Sequence, residues 1–155
     1  MKKIRLTELL IFIFSTELAG VLSGIIAGNS FGLYSSFEKP PLSPPSWVFP
    51  FMWAILYALM GASAYIVYFS DNDNRRKNLA IYGIQLFFNF LWSIIFFRFQ
   101  FFEFSALIIA VLIALVIYMI MQFKKSSKIA GYINIPYLIW LVFALYLNIG
   151  VSVLN

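Results

Sequence analysis

Five apolar runs, each close to the length that crosses a bilayer, occupy most of this sequence and leave little of it for any other fold. They extend over Leu6 to Gly28, Trp47 to Phe69, Asn78 to Phe97, Phe104 to Phe123 and Ile129 to Leu154. A helix needs about 20 apolar residues to span the hydrocarbon core, and only helices or closed barrels satisfy their backbone there. The expected fold class is therefore all-α, an integral membrane bundle of five transmembrane helices forming one domain over residues 1–155. Composition agrees: 63% of the residues are hydrophobic and 11% charged, more apolar surface than a soluble body of 155 residues can hide. The first run follows Lys2, Lys3 and Arg5 as a signal peptide would. It is too long for one and carries Glu17 at its centre, so it reads as a retained helix.

The cations orient the spans. Lys2, Lys3 and Arg5 precede the first span, Arg75, Arg76 and Lys77 separate the second from the third, and Lys124, Lys125 and Lys128 separate the fourth from the fifth. The opposite face receives only Lys39 and Arg98, so 9 of the 11 basic residues share one side. The positive-inside rule then puts the N-terminus in the cytoplasm and the C-terminus outside, in a multi-pass protein of the cell membrane. The net charge of +5 does not point to nucleic acid, because these residues form no single water-facing patch.

The longest extracytoplasmic stretch, residues 29–46, ends in a proline-dense segment from Lys39 to Ser46. Proline fixes φ and restrains its predecessor, so a stiff cover over the bundle mouth is expected. The chain has no Cys and no His, which rules out thiolate or imidazole metal ligands and a Ser-His-Asp triad. No metal site and no cofactor is expected. Polar residues inside the spans should mark the inner face. Gln85, Asn89 and Trp92 share one helix face, Tyr137, Trp140, Ala144 and Asn148 another, and Trp53 and Tyr57 stand one turn apart. Two readings fit: an aromatic cavity with placed amides for a flat ligand, or interhelical hydrogen-bond glue. Glu17 has no cation at matching depth in another span, so a neutral carboxyl donating to a carbonyl or amide is expected. Gly20, Gly24 and Gly28 form two G-x-x-x-G steps that suit either a homodimer seam or close packing within the bundle.

The run from Lys39 through Trp53 to Tyr57, the block from Asn89 to Phe97 containing Trp92, and the block from Pro136 to Asn148 containing Trp140 resemble the TspO family, also called tryptophan-rich sensory or translocator proteins. The resemblance covers essentially the whole chain. It implies five helices binding porphyrins, such as protoporphyrin IX, and aromatic drugs of the benzodiazepine-receptor class beneath the first loop. By position, Trp53, Asn89, Trp140 and Ala144 would line that site, with Tyr34, Ser23 and Asn148 nearby. It also implies light- and oxygen-dependent degradation of protoporphyrin IX, with Trp53 and Trp140 as the catalytic indoles.

One departure concerns sterols. The helix 5 pattern of cholesterol-binding members requires Lys or Arg after a Tyr, and no basic residue follows Tyr146. Cholesterol binding through that motif is therefore not expected. Two other functions remain open at this stage, a tetrapyrrole carrier and a ligand-sensing scaffold. The chain shows no internal repeat of the kind that supports alternating access.

Overall fold

The structure, a computed structural model, describes residues 3–155, so Lys2 of the N-terminal basic cluster lies outside the described residues. Among the described residues, five helical stretches are long and apolar enough to cross a membrane. The elements in order are α1 (Leu6–Ala27), α2 (Ser30–Ser36), α3 (Val48–Tyr68), α4 (Arg75–Ser93), α5 (Phe102–Ser126), α6 (Lys128–Tyr132) and α7 (Ile135–Leu154). A π-helical turn, Ile94–Arg98, continues α4.

Three local features depart from a plain reading of apolar runs. The fifth run breaks into α6 and α7, because Pro136 enters the first turn of α7. A proline ring lacks an N–H and collides with the carbonyl four residues earlier, so it kinks or breaks a helix that meets it in its interior. The break is anchored by Asn134, whose amide donates to Ser63 Oγ at 2.6 Å and to the Ala130 carbonyl at 2.9 Å. Arg75, Arg76 and Lys77 lie in the first turn of α4 instead of in a loop. Cations are unfavourable at a helix N-terminus, but Arg75 reaches back and donates to the Tyr68 carbonyl at the end of α3. The first half of the 29–46 segment is helical: Asn29 caps α2 by accepting from the Gly32 N–H at 3.1 Å.

The core is apolar towards the α6 end, where Met60, Val67, Val116, Met119 and Phe123 are fully buried. It becomes polar and aromatic along the inner face of α4, which buries Asn78, Gln85, Asn89 and Trp92. The first helix is the most exposed, burying only Thr16, Ser23 and Ala27, and it turns Leu10, Phe14, Leu18, Val21 and Ile25 outward. In water that stripe would aggregate; in lipid it is solvated. Gly61 of α3 lets α1 approach so closely that a Cβ there would lie 2.7 Å from Ile13 Cα. Thr16 bonds the Tyr82 hydroxyl, Ser23 Oγ donates to the Phe90 carbonyl at 2.9 Å, and Arg98 donates to the Ile26 carbonyl at 3.0 Å. These bonds tie the C-terminal half of α1 to α4 and its π-helical turn.

Candidate ligand-binding site

Around the end of the bundle covered by residues 29–46, five elements enclose a cavity of about 190 Å³. The first helix contributes Gly20, Ser23 and Gly24, α2 contributes Phe31 and Tyr34, and α3 contributes Phe49, Pro50, Trp53 and Tyr57. Asn89, Trp92 and Ser93 of α4 and Phe97 of the π-helical turn form the opposite wall. Each contribution has a local cause. Gly20 lets the Tyr57 ring lie against the α1 backbone, where any Cβ would overlap that ring. A Cβ at Gly24 would meet nothing within 4 Å, so its absence adds open space. Gly24, Phe31 and Pro50 are exposed as well as cavity-lining, which puts the mouth between α1, α2 and α3.

Trp53 is the centre of the aromatic lining. Its ring stacks on Tyr57 with centroids 5.5 Å apart, lies 6.2 Å from Trp92, and meets Trp140 edge-on at 6.4 Å. Below it, the polar side chains join end to end. Tyr57 donates to Asn89 Oδ1 at 2.6 Å, Asn89 Nδ2 donates to the Tyr137 oxygen at 2.9 Å, and Tyr137 donates to Gln85 Oε1 at 2.9 Å.

The cover is held by polar contacts as well as by its prolines. Tyr34 packs on Phe49 with centroids 4.7 Å apart and donates to the Pro44 carbonyl at 3.1 Å. Burial pushes its phenol above the ordinary value of 10.0, partly opposed by a hydrogen bond with Ser43. Lys39 Nζ donates to the Phe37 carbonyl at 2.9 Å and the Tyr34 carbonyl at 3.1 Å, closing the C-terminal end of α2. From the other side, Asn155 grips the Glu38 backbone twice, accepting from its N–H at 3.1 Å and donating to its carbonyl at 2.8 Å. Tyr146 donates to the Pro41 carbonyl at 2.7 Å.

The residues singled out from the sequence divide into three groups. Ser23, Tyr34, Trp53 and Asn89 line the main cavity. Ala144 and Asn148 line a separate void of about 20 Å³, and Tyr34, Phe49, Trp92 and Phe97 border both spaces. Asn148 is held there by three hydrogen bonds, accepting from Trp92 Nε1 at 2.9 Å and Ser105 Oγ at 3.0 Å while donating to the Phe102 carbonyl. It holds the Trp92 indole in place. Trp140 lines neither space; it stands behind Trp53 and Phe49, and its indole N–H has no hydrogen-bond partner. Tyr57 and Trp92 were visible as inward-facing stripe residues, yet nothing in their spacing separated them from Trp140 as cavity-lining. Gly20 and Gly24 carried an ambiguous signal: Gly20 packs on Tyr57 of its own bundle, and Gly24 lies exposed at the cavity mouth.

The sequence model of the TspO/MBR family matches residues 12–154. The chain belongs to the TspO/MBR family. Among its TspO/MBR relatives, "Tryptophan-rich protein TspO" of Archaeoglobus fulgidus is 39% identical over 129 residues, covering 79% of each chain. "Protein CrtK" of Rhodobacter capsulatus is 31% identical over 152 residues, covering 97% of this chain and 94% of its own. "Translocator protein" of Ovis aries is 29% identical over 126 residues, covering 79% of this chain and 75% of its own. Family membership and the five apolar helices together make this TspO/MBR chain a multi-pass membrane protein.

Proposed function

We propose that this TspO/MBR protein is a receptor for porphyrins, protoporphyrin IX in particular, and for flat aromatic drugs. It would lie in the cell membrane with its N-terminus in the cytoplasm and the covered cavity outside. The observation that carries this reading is the cavity itself, with two indoles, two phenols and an amide gathered under a cover stiffened by proline. Such a lining, largely apolar with a few fixed polar groups, suits a flat conjugated ligand. Beneath it the bundle axis is filled by Asn89, Tyr137, Gln85 and Met60, all buried. That filling favours a receptacle with one mouth over a carrier's passage. The mouth at Gly24, Phe31 and Pro50 suits entry of an apolar ligand from the outer membrane region.

The volume adds a requirement. At about 190 Å³ the closed cavity falls below the roughly 300–1,000 Å³ usual for drug-sized ligands. A macrocycle therefore needs α2 and the proline segment to swing outward, breaking the bonds from Asn155 and Tyr146. The test is a fluorescence titration of protoporphyrin IX into the protein in nanodiscs, where bound porphyrin quenches the indoles. Saturable quenching that weakens about two- to tenfold in Trp53→Phe is the expected result, since a stacked aromatic contact contributes about 0.5–1.5 kcal/mol beyond its burial. Quenching that never saturates, and that matches the quenching of a tryptophan ester in empty nanodiscs, would remove the receptor reading.

The geometry also bears on light- and oxygen-dependent degradation of protoporphyrin IX. An excited porphyrin in the cavity would meet Trp53 directly and Trp140 only through Trp53 or Phe49. Under illumination in air, Trp53→Phe should therefore abolish the photoproduct while Trp140→Phe only slows its formation. Equal yields from both variants and the unaltered protein would dismiss the indoles as participants.

A further inference from the structure

The hydrogen-bonded chain under the cavity can run in only one direction, and its far end decides which. Gln85 lies against the sulfur of Met60, with Nε2 to Sδ at 3.6 Å. A thioether accepts and never donates, so Gln85 must present its N–H there and its carbonyl to Tyr137. Tyr137 has a single proton and gives it to Gln85 Oε1, so its oxygen can only accept from Asn89. With the amide hydrogens of Asn89 turned that way, its oxygen faces Tyr57, and Tyr57 must donate. Reversal would set the Gln85 carbonyl against the sulfur, two acceptors face to face. Bulk solvent does not reach that clash: Met60, Gln85 and Tyr137 are each 0% exposed and Asn89 is 2% exposed.

The consequence falls on the cavity, because Tyr57 and Asn89 both line it. The Tyr57 proton is held by Asn89, and the hydroxyl makes no second hydrogen bond to protein, so what it retains is lone-pair capacity at the cavity floor. We propose that a one-way hydrogen-bond chain ending on the Met60 sulfur makes Tyr57 an acceptor, so that the cavity selects flat aromatic ligands bearing an N–H or O–H donor. Met60 and Gln85, neither of which lines the cavity, act as positioning residues for this selectivity. The inference rests on the cavity being a ligand site, and it adds the chemical feature by which ligands of similar shape are told apart.

Indole and benzofuran provide the probe: two fused-ring aromatics of nearly equal size, one with an N–H and the other with an ether oxygen in its place. Their affinities would be measured by calorimetry on the full chain in nanodiscs. Comparing the ratio between protein variants cancels the difference in partition into lipid. The protein should favour indole about tenfold, the size of one net hydrogen bond. Gln85→Leu lets the chain reverse, and the preference should shrink to under about threefold. Tyr57→Phe keeps the ring against Gly20 and Trp53 but removes the acceptor, and should abolish the preference even if Gln85→Leu fails to fold. Protoporphyrin IX is titrated into each sample as well. If the porphyrin binds while the two bicycles bind equally to the unaltered protein, or the preference survives Tyr57→Phe, the polarity inference is overturned and the receptor reading stands. If the porphyrin and both bicycles all fail to bind, both are overturned.

Discussion

Replacing Gly61 by alanine tests how the cavity wall is built, because the same chemical change elsewhere in the bundle should have the opposite sign. A methyl at Gly61 would sit 2.7 Å from both Ile13 Cα and the Phe12 carbonyl oxygen, whereas ordinary contact begins at 3.4 Å. The two helices must therefore separate by about 0.7 Å, and backbone cannot yield as a flexible side chain would. A gap of 0.5–1 Å forfeits roughly a quarter to a half of each dispersion contact across the seam. Overpacking of this kind costs about 2 kcal/mol, which for a domain of this size lowers Tm by about 4–8 °C. At Gly83, exposed on α4, an added Cβ meets nothing within 4 Å. There alanine should raise stability by about 0.5–1 kcal/mol through helix propensity alone. Thermal unfolding of both variants in one detergent, followed by circular dichroism, gives the comparison. Because α1 also carries Gly20, Ser23 and Gly24, Gly61→Ala should weaken porphyrin binding as well. A Gly61→Ala melting temperature equal to or above that of Gly83→Ala would refute the close α1–α3 seam and the cavity wall built on it.

Two further outcomes follow from the cover. Asn155→Ala removes both bonds to the Glu38 backbone, exposed hydrogen bonds whose loss should cost about 1 kcal/mol of closure and raise the porphyrin association rate about fivefold; stopped-flow quenching measures it, and an unchanged rate would show that Asn155 does not restrain the cover. Tyr34 governs the alkaline limit: burial raises its folded-state value above 10.0, so the closed cover holds the phenol proton more tightly than the open one. Its contribution is whole below pH 10 and is lost as pH climbs through the raised value, when the phenolate can no longer donate to the Pro44 carbonyl. Porphyrin affinity should stay flat from pH 6 to 9 in both the unaltered protein and Tyr34→Phe, then rise only in the former, because weakening the closed cover favours the open form that admits the macrocycle, and a change common to both would assign it to another group.

The five spans, the inward polar face of α4 and the basic clusters near one end of the bundle could be read directly from residue order. Each depends on one helix at a time: apolar length decides whether a segment suits lipid, and a period of 3.6 decides which side chains share a face. That is why Gln85, Asn89 and Trp92 could be grouped correctly without coordinates. Pro136 was also in plain view, but a break at that point is one of several ways a membrane helix accommodates proline, so the split between α6 and α7 depended on Asn134 finding Ser63 across the bundle. The tertiary structure alone decided what each inward-facing residue does once it is inside. Trp53 and Trp140 both sit in apolar spans and the family resemblance assigns both to the site, yet one lines the cavity and the other stands behind it. Asn89 and Asn148 are both buried amides, but Asn148 is bound by Trp92, Ser105 and Phe102 away from the main cavity while Asn89 lines its floor. Such outcomes are set by the axial offset and separation of neighbouring helices, fixed here by contacts such as Gly61 on Ile13 and Gly20 on Tyr57. Those contacts join residues far apart in the chain, and no periodicity within a single helix carries them.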